Sequence, residues 1–393
     1  MLVSLPKRAT SSSTLPELRR SERNKKPSRY VRDIQSGEFS TGTKDKIPKG
    51  LQIPVMEEEI SGLAMSVRMD EASGLLPSSL NEAMKSPDWP RWKEAMEEER
   101  EALEAHGTWK VVDAPKGSNV VGCRWVFAIK RDAAGNIIRY KARLVAQGFS
   151  QVSGVDFFDT YAPVAKMASI RTVLALSARY DYEIHQVDIK NAFLNGEFQE
   201  NEVIYMKLPQ GLKLTDEKGK VLELLRPIYG LRQSARHWYT RLWNVLRRRL
   251  KMERCEVDQA VFYMRKGEDL IVIVVHVDDL TIVTSSVALM DHVKDQLKKD
   301  FKFSDMGELH WILGFEVKRD RSKRTLSLSQ AAYIRAVLER YGFENMKPYA
   351  APMDPNCRLS TNDSPKTAQE FAVMKDKPYR ETVGSGQYAS CGT

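Results

Sequence analysis

The sequence predicts an α+β fold organised around one hydrophobic hairpin. Residues 270–275 are six consecutive apolar residues, five of them β-branched, which is typical of a strand buried on both faces. A second short apolar run, 280–283, follows two adjacent carboxylates, so the simplest local structure is a β-hairpin with its turn within 277–279. Amphipathic helices are predicted on either side, at 168–180 and 288–300. Strands and helices are therefore mixed along the folded part of the chain.

Length, cysteine usage and charge narrow the class of protein. The chain has 393 residues, enough for two or three subdomains that share a core, and no apolar run approaches the roughly 20 residues of a membrane span. Its four scattered cysteines form neither a disulfide framework nor a zinc pattern, so a reduced, intracellular protein is expected. The net charge of +9 suggests a polyanionic partner, but residues 1–32 hold +7 of it, as nine Lys and Arg against two Glu. A nucleic-acid surface in the folded part therefore requires local clustering of cations.

The N-terminal segment is expected to be a disordered, basic linker. Residues 1–80 are polar, basic and rich in helix breakers. Order is expected to begin near residue 86 with a capped helix, whose acidic residues 97–99 form a solvated face.

A cationic ribbon is predicted next. Strands at 122–130 and 137–146 form an antiparallel hairpin with its turn at 132–136. Cationic side chains alternate with apolar ones along both strands. This pattern fits a half-buried sheet, and it also fits a ribbon that contacts phosphates.

Three carboxylates are candidates for a metal site. Asp188 stands between apolar residues in the predicted strand 184–189, where an Asp is rare without a partner. Local hydrogen bonding would explain Asp188, and so would a metal shared with Asp278. Asp278 and Asp279 lie at the tip of the hydrophobic hairpin, where adjacent carboxylates repel each other. Either these residues form an acidic turn, or a divalent cation compensates them, because hard cations bind clustered oxygen ligands.

A basic helix precedes the hairpin. Residues 226–233 contain a glycine break and lead into a helix that is expected to run to about residue 251. Its cationic residues are Arg232, Arg236, Arg241, Arg247, Arg248 and Arg249. A solvated helix face explains such charge, but arginines beside aromatic residues at a helix start also suit a phosphate or a nucleotide.

The C-terminal part is predicted to lose regular structure. Strands are expected at 301–303, 309–317 and 325–328, followed by a last helix at 330–341. The remaining segment, 351–393, is expected to be poorly ordered and truncated, since it holds several prolines and a run of small residues.

Seven stretches in a fixed order carry a resemblance to a known family. They are WKEAMEEE (92–99), YKARLVAQGF (140–149), DFFDTYAPVAK (156–166), QVDIKNAFLNG (186–196), IYGLRQ (228–233) with Trp238, HVDD (276–279) and Leu313 with Gly314. Each stretch is weak alone, but together in this order they are highly specific. Over about residues 88–350 the chain resembles the reverse transcriptase region of a copia-type LTR retrotransposon polyprotein. The basic segment 19–30 is similar to that family's junction between integrase and reverse transcriptase.

This resemblance implies a right-hand polymerase with fingers, a palm and the start of a thumb, in which the palm is a ferredoxin-like antiparallel sheet. It divides the chain into a basic linker at 1–80, fingers and palm with the start of the thumb at 81–350, and a C-terminal segment at 351–393 without RNase H. The implied activity is RNA-directed DNA synthesis from a DNA primer and dNTPs on an RNA or DNA template, with two Mg²⁺ ions, or Mn²⁺ in their place. The integrase, RNase H and protease modules are expected to be absent from this chain, no membrane is expected as a partner, and the expected location is a cytoplasmic virus-like particle or the nucleus.

The resemblance also implies roles for individual residues. The implied catalytic and metal-binding residues are Asp188, Asp278 and Asp279, with Ile189 as a further metal ligand. The implied dNTP contacts are Lys141, Arg143, Asn191, Phe193, Tyr229, Gly230 and Gln233, and the implied nucleic-acid contacts are Lys166, Arg232, Arg236 and His276. We expect only one of Lys141 and Arg143 to face the site on a given strand face. Phe193 matches the residue that stacks under the deoxyribose.

Two positions depart from the family pattern. His276 stands where the family usually has Tyr, and Ala235 stands where it usually has Pro. Neither change removes a metal ligand. Two other functions remain open at this point: a catalytically inactive remnant that only binds nucleic acid, and a metal-dependent enzyme with a palm-like core that acts on free nucleotides, such as a cyclase. The extended cationic surface argues against the second, because a small substrate does not need it.

Overall fold

The computed structural model describes residues 76–131, 137–200, 202–212, 214, 219–347, 357, 359–375 and 377–392. The junction segment 19–30, the ribbon turn at 132–136 and all but the last five residues of the linker at 1–80 lie outside these residues. Among the helices described, none combines the length and the apolar content that crossing a bilayer requires.

Fifteen strands and eight α-helices are present in the described part of the chain. The strands are β1 (Trp109–Asp113), β2 (Val120–Val121), β3 (Cys123–Arg131), β4 (Ile137–Ala146), β5 (Glu183–Ile189), β6 (Ile204–Met206), β7 (Lys220–Leu224), β8 (Glu253–Arg254), β9 (Val261–Lys266), β10 (Asp269–His276), β11 (Asp279–Thr284), β12 (Phe303–Glu308), β13 (Trp311–Ile312), β14 (Phe315–Asp320) and β15 (Thr325–Ser329). The helices are α1 (Leu80–Lys85), α2 (Trp89–Ala105), α3 (Met167–Tyr180), α4 (Ser234–Leu250), α5 (Val287–Lys298), α6 (Ala331–Tyr341), α7 (Ala368–Lys375) and α8 (Tyr379–Gly392). The α+β class is therefore confirmed.

A six-stranded antiparallel sheet occupies the centre, with strand order β12-β5-β11-β10-β9-β8. The predicted strands at 184–189, 270–275 and 280–283 are confirmed as its three neighbouring central strands. Side chains of α4 and α5 pack against one face of this sheet, and side chains of α3 pack against the other. Both faces are therefore covered, which is why β10 could be an unbroken apolar run.

The cationic ribbon forms as predicted, since β3 and β4 pair antiparallel from Cys123 with Ala146 to Arg131 with Ile137. Its apolar face packs against α2, where the Trp92 ring lies 5.2 Å from Phe127 and 4.6 Å from Tyr140 in edge-on contacts. A four-stranded sheet of order β1-β7-β6-β2 shares this core.

Three sequence predictions are corrected. The predicted strand 309–317 is broken into β13 and β14, because Leu313 (φ 47°) and Gly314 (φ 75°) both adopt the left-handed region and reverse the chain. Helix α1 shows that regular structure begins before residue 86. The C-terminal segment forms α7 and α8, where a poorly ordered chain was predicted; the Tyr388 hydroxyl on α8 donates to the Leu313 carbonyl oxygen at 2.6 Å and ties that helix to the β13–β14 turn.

Candidate active site

Strand pairing brings three carboxylates to one end of the central sheet. Asp279 stands directly opposite Asp188 in the antiparallel pairing of β11 with β5, and directly opposite residues on such strands have Cα atoms about 4.5–5.5 Å apart. His276 pairs with Asp279 across the hairpin, which leaves Val277 and Asp278 as a two-residue turn. Residues 90 positions apart in sequence, such as Asp188 and Asp278, therefore meet at adjacent strand ends.

The turn itself is strained and is held from both sides. Val277 has a φ of 54°, in the left-handed region that a β-branched residue rarely adopts. Its carbonyl oxygen accepts a hydrogen bond from the Trp238 indole Nε1–H at 2.7 Å. On the other side, the Ile189 amide donates to the Asp278 carbonyl oxygen at 2.8 Å. The Ile189 side chain is a buried hydrocarbon and has no atom that can bind a metal. Only the backbone carbonyl oxygen of Ile189 could therefore be the metal ligand that the resemblance implies there.

Burial and neighbouring negative charge disfavour the ionisation of Asp188 and Asp279. Burial, and then the charge of Asp278, raise the pKa of Asp188. Burial raises the pKa of Asp279 from 3.8 to about 6, and the charges of Asp278 and Asp188 add to this effect. A hydrogen bond from Gln186 Nε2 at 3.1 Å opposes it. Such raised pKa values mark a place where a compensating positive charge is expected.

The β3–β4 ribbon supplies positive charge to this edge. The charges of Lys130, Lys141 and Arg143 all act to lower the pKa of Asp188. The expectation that only one of Lys141 and Arg143 faces the site is wrong, because residues two apart on a strand share a face. Both are half-buried, on the face opposite the buried Ala142. Burial, together with the charges of Arg143 and Lys130, lowers the pKa of Lys141 to about 8.

Two charged groups near the site were missed from the sequence. Lys130 pairs with Arg139 across the ribbon and shares the face of Lys141, so the period-two alternation could have identified it. Glu99 was predicted to be solvated, but burial raises its pKa, and its Oε1 accepts a hydrogen bond from the Leu144 amide at 3.3 Å. No local sequence signal identifies Glu99, because its burial depends on how α2 packs against β4.

Aromatic rings lie between the ribbon and the end of β5. Asn191, in the left-handed region with a φ of 51°, turns the chain out of β5 into a short 3-10 helix that carries Phe193. The Phe193 ring lies 4.6 Å from the Tyr229 ring, and the Arg143 guanidinium lies 4.6 Å from the centroid of the same tyrosine ring. Burial raises the pKa of Tyr229, so this hydroxyl is neutral at physiological pH.

Gly230 allows the chain after Tyr229 to approach β4 closely. The Ala146 amide donates to the Tyr229 carbonyl oxygen at 2.8 Å, and the Gly148 amide donates to the Gly230 carbonyl oxygen at 3.1 Å. Gly230 has a φ of 91°, and a Cβ there would lie 2.1 Å from the Ala146 carbonyl oxygen. Only glycine fits this position, which fixes Tyr229 beside the end of the ribbon.

The resemblance implies that Gln233 contacts the dNTP, and in the structure its side-chain amide makes hydrogen bonds within the protein. Its side chain is fully buried, its Nε2 donates to the Asp156 carbonyl oxygen at 2.8 Å, and its Oε1 accepts from Gln151 Nε2 at 3.0 Å. Gln151 Oε1 in turn accepts from the Arg232 amide at 2.8 Å. Gln233 therefore fixes the loop that contains Gln151 and Asp156, because both ends of its amide are already used.

The four residues predicted to contact nucleic acid differ in their exposure and in the charge that they can present to a phosphate. Lys166 and Arg232 are exposed, and Arg236 is half-buried in an ion pair with Asp159 at 2.8 Å. Burial lowers the pKa of His276, although the charge of Asp278 opposes this. His276 is therefore neutral at physiological pH and adds no charge for a phosphate.

Exposed aromatic rings lie on the loop next to Arg232. Phe149 is 77% exposed, Phe158 53% and Tyr161 66%. Arg232 Nε donates to the Gly148 carbonyl oxygen at 3.0 Å, and its guanidinium lies 5.6 Å from the centroid of the Phe157 ring. Aromatic rings interleaved with cations are typical of surfaces that bind single-stranded nucleic acid.

The donor set at the sheet edge suits a hard divalent cation. Asp188, Asp278 and Asp279 offer only carboxylate oxygens, which Mg²⁺ prefers, and the raised pKa values of Asp188 and Asp279 indicate that the positive charge near these two carboxylates does not compensate them fully. Within the residues described, no three His, Cys, Asp or Glu side chains converge closely enough to surround one ion.

The protein is therefore of the α+β class, and its acidic sheet edge lies near a cationic ribbon. Together they form a candidate site for a phosphate that is complexed with a metal ion. The chain belongs to the reverse transcriptase (RNA-dependent DNA polymerase) family, whose model matches residues 106–355, and within it to the copia-type branch. The retrovirus-related Pol polyprotein from transposon TNT 1-94 of Nicotiana tabacum is 39% identical over 314 residues, which cover 80% of this chain and 23% of that protein. The corresponding polyprotein from transposon RE1 of Arabidopsis thaliana is 36% identical over 299 residues, covering 76% and 20%. The chain thus spans about a fifth to a quarter of the length of these relatives.

Solved structures are similar only at a low level. The foamy viral protease–reverse transcriptase in complex with double-stranded DNA is 12% identical, with a TM-score of 0.37 and coverage of 76% of this chain and 48% of that one. A second structure of that protein with double-stranded DNA, designated dRH, is 14% identical with a TM-score of 0.33, covering 58% and 34%. TM-scores below 0.5 do not establish a shared fold.

Proposed function

We propose that this chain is an RNA-directed DNA polymerase that transfers a nucleotide from a dNTP to a primer 3′-hydroxyl on an RNA or DNA template. One observation carries the proposal: a chain of the reverse transcriptase family brings Asp188, Asp278 and Asp279 together at the ends of adjacent central strands, opposite the cations of the ribbon. Phosphoryl transfer depends on positioning and charge neutralisation more than on covalent catalysis, and this arrangement supplies both.

Within this proposal, the six-stranded central sheet is the palm, and the β3–β4 ribbon with α2 belongs to the fingers. The segment from β13 to α6 begins the thumb. Residues 81–350 then form the polymerase fingers and palm, and residues 1–80 the linker that precedes them. The antiparallel order of the central sheet and the helices α4 and α5 on one face support a ferredoxin-like palm.

Asp188, Asp278 and Asp279 would together hold two divalent cations. When bound, the cations activate the primer hydroxyl and neutralise the triphosphate. The protein's own contribution is to fix the carboxylates in place, since strand pairing sets Asp188 opposite Asp279, and the turn carrying Asp278 is held at two points.

The ribbon and the aromatic rings would position the dNTP. Lys141 and Arg143 share one face, so both can contact the triphosphate, and Arg143 is oriented by the Tyr229 ring. Phe193 would lie under the deoxyribose and exclude a ribose 2′-hydroxyl by collision. The neighbouring surface, with Lys166, Arg232 and the exposed rings of the loop, would bind the template strand.

Single-nucleotide primer extension tests the proposal. We expect Asp188→Asn and Asp278→Asn to lose orders of magnitude in rate, because each removes a metal ligand. Their melting temperatures should equal or exceed that of the wild type, because each substitution removes a repulsive charge from the edge.

The matched control is Asp269→Asn, which removes an exposed carboxylate at the start of β10, the strand that leads to the turn with Asp278, and should extend at the wild-type rate. Extension at near wild-type speed by Asp188→Asn or Asp278→Asn would refute the metal assignment. Nucleic-acid binding without extension by the wild type would instead support the inactive remnant.

A further inference from the structure

The turn that presents Asp278 is not in a conformation that its sequence favours. Val277 precedes Asp278 and has a φ of 54°. A β-branched residue in this region is strained, and such a conformation persists only where the surroundings impose it. The two residues are the whole connection between β10 and β11, so relaxation at Val277 would move Asp278 directly.

Trp238 contacts this turn from behind. It lies on α4, is 2% exposed, and its ring meets Phe301 edge-on at 5.1 Å. The indole has a single N–H group, which donates to the Val277 carbonyl oxygen at 2.7 Å. A rigid, buried ring thus fixes the one peptide that connects Val277 with Asp278.

We propose that Trp238 is a positioning residue for the metal-binding edge: its indole hydrogen bond keeps the Val277 turn in its strained form and thereby holds Asp278 beside Asp188. The inference rests on the proposed function only in taking a divalent cation as the ligand of these carboxylates. Without the hydrogen bond, the strands and the core stay in place, but the turn relaxes and the carboxylates lose their mutual geometry. Loss of a group that orients a metal ligand typically costs about 10–100-fold in metal affinity or activity.

Trp238→Phe tests the inference, because it removes the N–H donor and keeps an aromatic ring in the core. Trp243→Phe is the matched control on the same helix: Trp243 is half-buried and stacks on Phe262 at 5.4 Å. Two measurements are made on the full chain. The first is the rise in melting temperature with added Mn²⁺, without primer or nucleotide. The second is single-nucleotide extension at varied dNTP and Mg²⁺.

We expect Trp238→Phe to need about 10-fold or more Mn²⁺ for half of the thermal shift, and to lose about 10–100-fold in kcat with little change in the KM for dNTP. Trp243→Phe should match the wild type in both measurements. Wild-type Mn²⁺ dependence in Trp238→Phe, or equal losses in the two variants, would overturn the inference. A wild type that binds Mn²⁺ but extends no primer would refute the polymerase proposal while the Mn²⁺ measurement still decides the role of Trp238.

A measurement on the wild type covers the case in which Trp238→Phe does not fold. The indole proton of Trp238 should exchange with solvent far more slowly than that of Trp311, which is 49% exposed. Its resonance should also shift as Mg²⁺ is added, because the hydrogen-bonded peptide adjoins the ligand Asp278. Rapid exchange, or a resonance that Mg²⁺ leaves unmoved, would overturn the inference.

Discussion

Asp188 and Asp279 stand opposite each other on neighbouring strands, and burial and the charge of Asp278 make both harder to ionise. The charges of Lys130, Lys141 and Arg143 oppose this effect at Asp188 but do not cancel it. The arrangement therefore lowers stability at neutral pH, and it also prepares the edge to bind a cation. Both consequences can be measured at single residues.

The raised pKa of Asp279 predicts that the stability of the protein depends on pH. Folding raises the pKa of Asp279 from 3.8 to about 6, so the protonated carboxyl is favoured in the folded state. Its contribution to the free energy of unfolding is fully present below pH 3.8 and is lost as the pH rises through 6. The loss amounts to about 3 kcal/mol, at 1.36 kcal/mol for each pKa unit. We therefore expect Asp279→Asn to be more stable than the wild type at about pH 8 and to lose this advantage at about pH 3.5. Urea denaturation at both pH values checks this, and no gain at the higher pH would contradict it.

The proposed position of Phe193 under the sugar predicts that it discriminates deoxyribonucleotides from ribonucleotides. Phe193→Val should admit ribonucleotides, because the smaller side chain removes the collision with a 2′-hydroxyl. The ring is only 5% exposed and contacts Tyr229, so we also expect a loss of about 1–3 kcal/mol in stability. Incorporation of a ribonucleotide relative to its deoxy counterpart is measured beside the melting temperature.

Phe198→Val is the control, since Phe198 lies three residues beyond the end of the short 3-10 helix and is half-buried against His237. It should lower stability without changing sugar choice. An unchanged ratio in Phe193→Val, with a lowered melting temperature, would make Phe193 an ordinary core residue.

At the scale of elements, the site depends on how a loop and a hairpin are fixed to their neighbours. The chain after β7 returns to the end of β4 through two backbone hydrogen bonds at Tyr229 and Gly230. Buried amides of Gln151 and Gln233 hold the next loop against the start of α4. These contacts explain why residues that resemble nucleotide contacts in sequence serve partly to build the site.

The close packing at Gly230 predicts that substitution by alanine strongly destabilises the protein. Gly230→Ala should destabilise the protein by several kcal/mol, because its Cβ would collide with the Ala146 carbonyl oxygen and its φ is positive. Gly219→Ala is the matched control, with a similar φ of 85° and nothing within 4 Å of its Cβ, so it carries only the cost of backbone strain. Thermal unfolding compares the two variants. Similar losses of stability in the two variants would mean that the close approach of Gly230 to β4 does not contribute to stability.

At the scale of the whole molecule, the cationic residues are not equivalent. Asp300, whose side chain is 6% exposed, pairs with Arg248, with Arg249 and at 3.7 Å with Arg241. The predicted role of the whole basic helix in contacting nucleic acid is therefore too broad, because its C-terminal arginines are partly neutralised within the protein. The ribbon cations face undercompensated carboxylates instead, and with Arg232 they form the better candidate surface.

Salt dependence separates these two groups of cations. We expect Arg232→Gln to lower the slope of log K against log salt for template–primer binding by about 0.7–0.9, the value for one lost phosphate contact, because Arg232 is exposed on the proposed template surface. Arg249→Gln, the control, should leave the slope unchanged because Arg249 already pairs with Asp300 at 2.8 Å. Fluorescence anisotropy over a range of salt concentrations measures both slopes. A larger drop in Arg249→Gln than in Arg232→Gln would place the binding surface on the C-terminal part of α4.

The sequence by itself determined the central hairpin, the ribbon and the identity of the three carboxylates. Strand periodicity and apolar runs are local properties, so β4, β10 and β11 could be placed within a residue or two of their observed bounds. The ordered motifs likewise identified the reverse transcriptase family, which the comparisons confirm. The two-residue spacing of Lys141 and Arg143 also indicates that both side chains share one face of β4.

Only the tertiary structure decided which of these residues meet. The register that sets Asp188 opposite Asp279 joins strands far apart in sequence, and no local pattern specifies it. The same is true of the half-buried position of Glu99, of the burial of Gln233 and of the hydrogen bond from Trp238 to the Val277 turn. A side chain's burial and hydrogen-bond partners depend on the packing of whole elements, whereas its periodicity depends only on its neighbours in the chain.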